Sequence, residues 1–207
     1  MSERPALGVL ILVAGFFVGT LFHAPSAFAP IAENFLTVEG ADVSVNDDKD
    51  ELTARLTAEG VQIPTDGTEG AFGYGILTDG DTILVAHTHS GILDNEDQRF
   101  IEDPTWHTHL VKLGNVKQCG DDQGVIDITW QSPGTVRIDN ETVRISGIPT
   151  DKFQGWDSIT GKPLWMTLGK GVSEIVSFKL KPVFGEEGLE AICVTDIRSA
   201  EAEVNID

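Results

Sequence analysis

Residues 72–89 read Phe72-Gly73-Tyr74-Gly75-Ile76-Leu77-Thr78-Asp79-Gly80-Asp81-Thr82-Ile83-Leu84-Val85-Ala86-His87-Thr88-His89. Two runs rich in aromatic and β-branched residues flank Asp79-Gly80, a dipeptide suited to the tight turn of a β-hairpin. The reading is therefore β, and it extends in both directions. Toward the C-terminus, Trp106–Leu113 has strand character. Val125–Gln131 alternates, with Ile126, Ile128 and Trp130 on one side and Val125, Asp127 and Thr129 on the other. The tetrapeptide Thr-Val-Arg-Ile occurs at 135–138 and again at 142–145, around Asp139-Asn140-Glu141, which predicts a second hairpin. Residues 150–163 read as a long loop between Pro149 and Pro163. Val172–Lys181 and Leu189–Ile197 read as strands, and 202–206 as a short edge strand.

Toward the N-terminus, residues 34–45 have strand character. Asp47–Ala58 is the one expected helix: Asp47 or Asp48 caps it, Leu52 and Leu56 stand four apart, and Gly60 stops it. Residues 64–71 are a polar, glycine-rich loop. Many short strands, frequent turn signals and a single helix predict an all-β protein, a single β-sandwich, Ig-like or similar. The expected organisation is an export segment at 1–29, a strand, helix and loop at 30–71 packing on the main domain, and the sandwich itself at 72–207.

Ala6–Phe22 is an uncharged apolar run, followed by the small residues of Ala24–Ala29. This pattern predicts a secretory signal peptide. At the short limit of a membrane span, residues 6–22 could instead stay as an anchor. Either outcome places the remainder outside the cytoplasm. Removing residues 1–29 takes away one acid, Glu3, and one base, Arg4, so the net charge stays at −19. Such a charge repels phosphates and argues against nucleic acid as a partner. It suits an acidic exported protein. The two cysteines, Cys119 and Cys193, predict one disulfide in an oxidising compartment.

Four of the five histidines fall into two His-x-His pairs, His87/His89 and His107/His109. Residues i and i+2 of a strand share a face. Ile83, Val85, His87 and His89 thus lie on one face, and His107, His109, Val111 and Leu113 on one face of the next strand. If the two strands are antiparallel neighbours, four imidazoles converge at one end of the fold. Such a cluster suits one Cu or Zn ion. The connection between the pairs carries Asp94, Glu96, Glu102 and Asp103, which could accept ring N–H groups behind the ligands or ligate directly. The alternative is that the histidines are simply hydrogen-bonded near strand ends.

Other metal-binding patterns fit less well. Cys193 is followed by no later histidine or methionine, unlike the closing loop of cupredoxins. Cupins carry an acid three to four residues after His-x-His, whereas here Glu96 follows at a wider spacing. Similarity to α-carbonic anhydrases stops at His-x-His. Asn140-Glu141-Thr142 is a glycosylation sequon on an expected turn. Trp156, in the long loop beside Trp165, either offers a binding surface or folds back to plug an end of the sandwich. Ser132 and Ser158 have no His/Asp partners in sequence that would make them nucleophiles.

The run Ala86–Gln98, then Asp103–Leu113, with the following cysteine and Ser132-Pro133-Gly134, resembles exported proteins of ammonia-oxidising archaea over roughly residues 72–197. That resemblance implies a copper-rich extracellular setting and carries no activity with it.

The expectation from sequence is an exported metal-binding protein, with binding, storage or delivery favoured over turnover. One competitor is a mononuclear metal hydrolase or oxidase at the same site, with Glu96 or Glu102 as base. Another is a cell-surface or filament subunit in which the histidines are incidental. No small-molecule substrate can be identified from the residues.

Overall fold

The computed structural model describes residues 33–186, 188–200 and 204–206; the expected export segment, residues 1–29, lies outside them. Among the described residues no helix is long and apolar enough to cross a membrane.

The expected helix at Asp47–Ala58 is not formed. A short 3-10 turn at Asn34–Leu36 leads into β1 (Val38–Asn46), which pairs antiparallel with β2 (Glu51–Ala58). Spacing of four between Leu52 and Leu56 satisfies a two-residue period as well as a helical one. Ala54 and Ala58 complete the alternation: Leu52, Ala54, Leu56 and Ala58 are buried, and Thr53 and Arg55 are exposed. The acidic cluster read as a helix cap is the turn itself, with Lys49 N–H bonded to Asn46 C=O and Asp50 at φ 51°.

The Asp79-Gly80 hairpin forms as expected, between β3 (Phe72–Thr78) and β4 (Ile83–Thr88). The chain continues through β5 (His107–Asn115), β6 (Gln123–Ile128), and the hairpin of β7 (Thr135–Asp139) and β8 (Thr142–Pro149). The expected loop at 150–163 holds a further strand, β9 (Lys152–Trp156), which pairs with β10 (Pro163–Thr167) as a separate two-stranded ribbon. Trp156 and Trp165 stay about half exposed on it and plug nothing. Two long strands, β11 (Val172–Gly185) and β12 (Gly188–Ser199), and a short β13 (Val204–Ile206) finish the chain.

The architecture is a closed barrel, β11-β12-β6-β5-β4-β3, beside a five-stranded sheet ordered β13-β1-β2-β8-β7. This corrects the expected sandwich. The closing contact is the pairing of β11 with β3, strands about a hundred residues apart, through Val172–Lys179 and Phe72–Thr78. No local pattern announces it.

What the alternation does set is which side chains enter the barrel. Ile83, Val85 and His87 of β4 and Val111 and Leu113 of β5 line the interior. The intervening Leu84, Ala86 and Leu110 point outward. There they join Phe72, Tyr74, Ile76 and Ile175 in a second core, shared with Leu52, Leu56, Val143 and Ile145 of the five-stranded sheet. These barrel strands are thus buried on both faces. Such a strand reads as a continuous apolar run rather than a half-polar one.

Cys119 and Cys193 form the expected disulfide, with Cα atoms 5.4 Å apart. It lies where the barrel is held by fewest ladder partners. Strands β6 and β12 pair only through Gly124–Cys193 and Gln123–Val194.

Candidate metal centre

The β4–β5 ladder places His87 directly opposite His107 and Val85 opposite His109. Both strands aim their histidines into the same end of the barrel, and His89 follows just beyond β4. The four rings cluster: His87 lies 4.4–5.0 Å from each of the other three between centroids, and His107 lies 5.1 Å from His89 and 5.0 Å from His109. All are buried: His107 and His109 are fully inaccessible, and His87, His89 and Asp94 are 2%, 3% and 5% exposed.

Room for His87 comes from its neighbour on β3. Gly73 faces it across the ladder, and a Cβ there would lie 2.5 Å from both the His87 Cβ and the Ala86 carbonyl oxygen. Only a residue without a side chain fits.

Backbone carbonyls orient two of the rings. His107 Nδ1 donates to Thr105 C=O at 2.7 Å, and His109 Nδ1 donates to Thr129 C=O. A ring whose Nδ1 carries the proton presents a lone pair on Nε2. Both Nε2 atoms turn inward and, with the two nitrogens of His87, are buried without a hydrogen-bond partner. A buried polar atom left so costs about 1–3 kcal/mol. Several converging on one point form a group that could hold a cation.

Asp94 completes the group. Ligand atoms of His87, Asp94, His107 and His109 all lie within 4.8 Å of one another. Donors sharing an ion tetrahedrally at roughly 2.0–2.2 Å stand about 3.3–3.6 Å apart, so movements of about an ångström would close the set. His89 stands behind Asp94 instead: its Nε2 is 3.1 Å from Oδ1, whereas His107 and His109 Nε2 approach the carboxylate at 3.4 and 3.8 Å. A nitrogen that donates to a carboxylate cannot also ligate. Asp94 thus falls among the inward ligand atoms, while His89 touches it through Nε2 and keeps its own Nδ1 buried without a hydrogen-bond partner.

The electrostatics suit cation binding. Burial lowers His87 well below the usual imidazole value, helped by His107, His109 and His89. Burial also lowers His109, to about 4, against the opposing pull of Asp94. Both rings are therefore neutral near pH 7. Burial pushes the Asp94 carboxyl upward, but the surrounding imidazoles of His107, His109 and His89 win, holding it well below its ordinary value and ionised.

The loop from Ser90 to Thr105 exists to hold Asp94. Its backbone N–H donates to Gln98 Oε1 at 3.0 Å, and its C=O accepts from Ser158 Oγ at 2.7 Å. Gln98 Nε2 donates to the carbonyls of Ile92 and Asp103, and Asn95 Nδ2 donates to Thr108 C=O between His107 and His109 of β5. Asp103 lies outside the cluster. Its carboxylate accepts from Thr105 and Arg99, and these bonds hold its pKa low. It fixes Thr105, whose carbonyl in turn orients His107. Glu96 and Glu102 are exposed on the outside of the loop, so neither faces the centre as a base.

Sequence reasoning gave no role to Asn95 and Gln98 and weighed Ser158 only as a nucleophile. Their roles are purely in hydrogen bonding across the fold, and no spacing marks them. Ser132 acts likewise, donating to Asn95 and Asp97. Asn140 is exposed at the β7–β8 turn with φ 52°. Comparison with protein-family models, curated proteins and solved structures finds no match.

Proposed function

We propose that this is an exported metal-binding protein. It holds one transition-metal ion, copper or zinc, through His87, His107, His109 and Asp94 inside the barrel, with His89 steadying the carboxylate. The observation that carries the reading is the pair of carbonyl-backed rings, His107 and His109. Their Nε2 atoms converge with His87 on a buried carboxylate and meet no other protein partner. Three imidazoles suit copper or zinc; the carboxylate also admits iron or manganese. The resemblance to exported proteins of ammonia-oxidising archaea favours copper, and the Cys119–Cys193 disulfide is compatible with an extracytoplasmic site. A purely structural role as a surface subunit leaves the buried, partnerless Nε2 atoms of His107 and His109 and both nitrogens of His87 without an explanation.

Elemental analysis of purified protein tests the reading. One equivalent of metal is expected, with its loss in the His107→Ala and Asp94→Ala variants. Metal content that is absent, or unchanged in both variants, rejects it.

A second reading, metal-dependent turnover, has one observation in its favour: His87 and Asp94 also line the barrel's interior cavity. An ion held there would be approachable from one side.

A further inference from the structure

The barrel interior is not filled. A cavity of about 270 Å³ runs along it, walled by Gly75, Val85, Val111, Val125, Val176 and Val194 among other apolar side chains. Barrel interiors narrow as strand number falls, and eight strands give an interior just wide enough for side chains to fill or for one small ligand. Six strands leave less width still. Phe178 and several leucines and isoleucines line this cavity too, but Gly75 and five valines leave space beside them.

The cavity is polar at its ends alone. At one end stand His87 and Asp94, both members of the metal-binding group. Away from them along the β3–β11 ladder stand Leu77, which is only partly buried, and the exposed Glu174. The lumen therefore runs from solvent to the histidine cluster through an apolar wall.

We propose that the lumen is a binding chamber for one small amphiphile: an apolar body of about ten heavy atoms ending in a single carboxylate that reaches the metal ion. The size follows from scale, since a cavity of roughly 150 Å³ accepts benzene. The head group follows from charge. A divalent ion with the Asp94 carboxylate carries one net positive charge among neutral imidazoles, and one further carboxylate neutralises it. The tail follows from the wall, which between its two ends offers no hydrogen-bonding side chain. This inference rests on the metal-binding reading above and names what that site would take.

Cobalt(II)-loaded protein gives a test that separates the two. Cobalt uptake, followed by its visible absorption and by elemental analysis, reports the metal site alone. Acetate, butanoate, hexanoate and octanoate are then titrated, reading the cobalt spectrum and the heat of binding. Each methylene buried in the lumen should tighten binding about fourfold, until the chain outgrows the chamber near eight to ten carbons. Val176→Phe, which fills the lumen, should abolish the chain-length dependence while cobalt uptake stays at one equivalent. Val125→Leu, a milder filling, should shorten the preferred chain; it keeps the test decisive if the phenylalanine variant does not fold. Cobalt uptake with no chain-length dependence overturns the chamber and leaves the metal site standing. The same dependence persisting in both filled variants also overturns it. Absence of cobalt uptake overturns the metal reading and, with it, the anchored head group.

Discussion

His87 and His107 face each other across the β4–β5 ladder with ring centroids 4.4 Å apart, and His107 is braced by a backbone carbonyl while His87 has no hydrogen bond at either nitrogen. Of two neighbouring rings, one is pre-oriented and the other is left to respond. A bound ion supplies the partner that the fold withholds from His87. Chelation should therefore lower the melting temperature. A ligand present at a hundred times its dissociation constant contributes about 2.7 kcal/mol. Thermal unfolding with and without chelator measures this, and equal curves for a protein shown to carry metal would be inconsistent with the site.

In the proposed site Asp94 is a ligand and His89 its support. His89→Ala should weaken metal binding by roughly 10–100-fold, the usual effect of removing a group behind a ligand, while stoichiometry stays at one. Asp94→Asn should weaken it more, because it removes the charge. A competitive chelator titration resolves the order. Equal and total loss in both variants would make His89 a direct ligand.

The metal-free protein should lose stability as pH falls from about 6.5 to 4. His109 has a folded pKa lowered to about 4, so in that window the unfolded chain binds the proton and the folded one does not. Stability from this group is complete above the unfolded value and falls on acidification by about 1.4 kcal/mol per pH unit. That is roughly 3 kcal/mol across the window. His87, lowered in the same direction, steepens the slope. The Asp94 carboxyl acts only below its ordinary value and does not oppose it. Denaturant unfolding of metal-free protein at several pH values gives the slope; a flat profile between pH 6.5 and 4 would contradict the burial of neutral imidazoles.

Reduction of Cys119–Cys193 should cost about 2–5 kcal/mol. The bond fastens the β6–β12 seam, which has only two ladder partners. The cysteines belong to a small separate cluster with Ala191, Val116 and Val183. Metal stoichiometry should accordingly survive in the Cys119→Ser/Cys193→Ser variant at temperatures where it stays folded. Loss of metal from folded, reduced protein would tie the seam to the site.

Gly73→Ala should displace His87. The new Cβ would meet backbone and Cβ atoms at 2.5 Å, too close to absorb without movement of the strand. Overpacking of this kind costs about 1–3 kcal/mol, and metal affinity should fall at least tenfold. Gly75→Ala is the control. Its nearest contact would be the Val176 Cγ2 at 3.1 Å, inside the cavity rather than at the cluster, and metal affinity should be retained. Affinity measured on both variants separates a local steric effect from general softening of β3.

Much of the barrel was legible in the chain itself. Asp79-Gly80 specifies its hairpin because a two-residue turn demands that chemistry locally. Two-residue periodicity assigns Ile83, Val85 and His87 to one face without reference to any partner. It likewise sets His107 and His109 beside Val111, so the convergence of two histidine pairs needs only antiparallel neighbours. Where two periods coincide, as at Leu52 and Leu56, the sequence is ambiguous. There the five-stranded sheet chose strand over helix by burying Ala54 and Ala58. Tertiary structure alone decided the rest. Closure depends on β11 returning to β3, a pairing enforced by the burial of both strand faces and not by any local pattern. Asp94 is singled out from Glu96, Glu102 and Asp103 because Gln98 and Ser158 pin its backbone and turn that one carboxylate inward. These are contacts across the fold, and side chains of equal chemistry in one acidic loop differ only in which way the folded backbone points them.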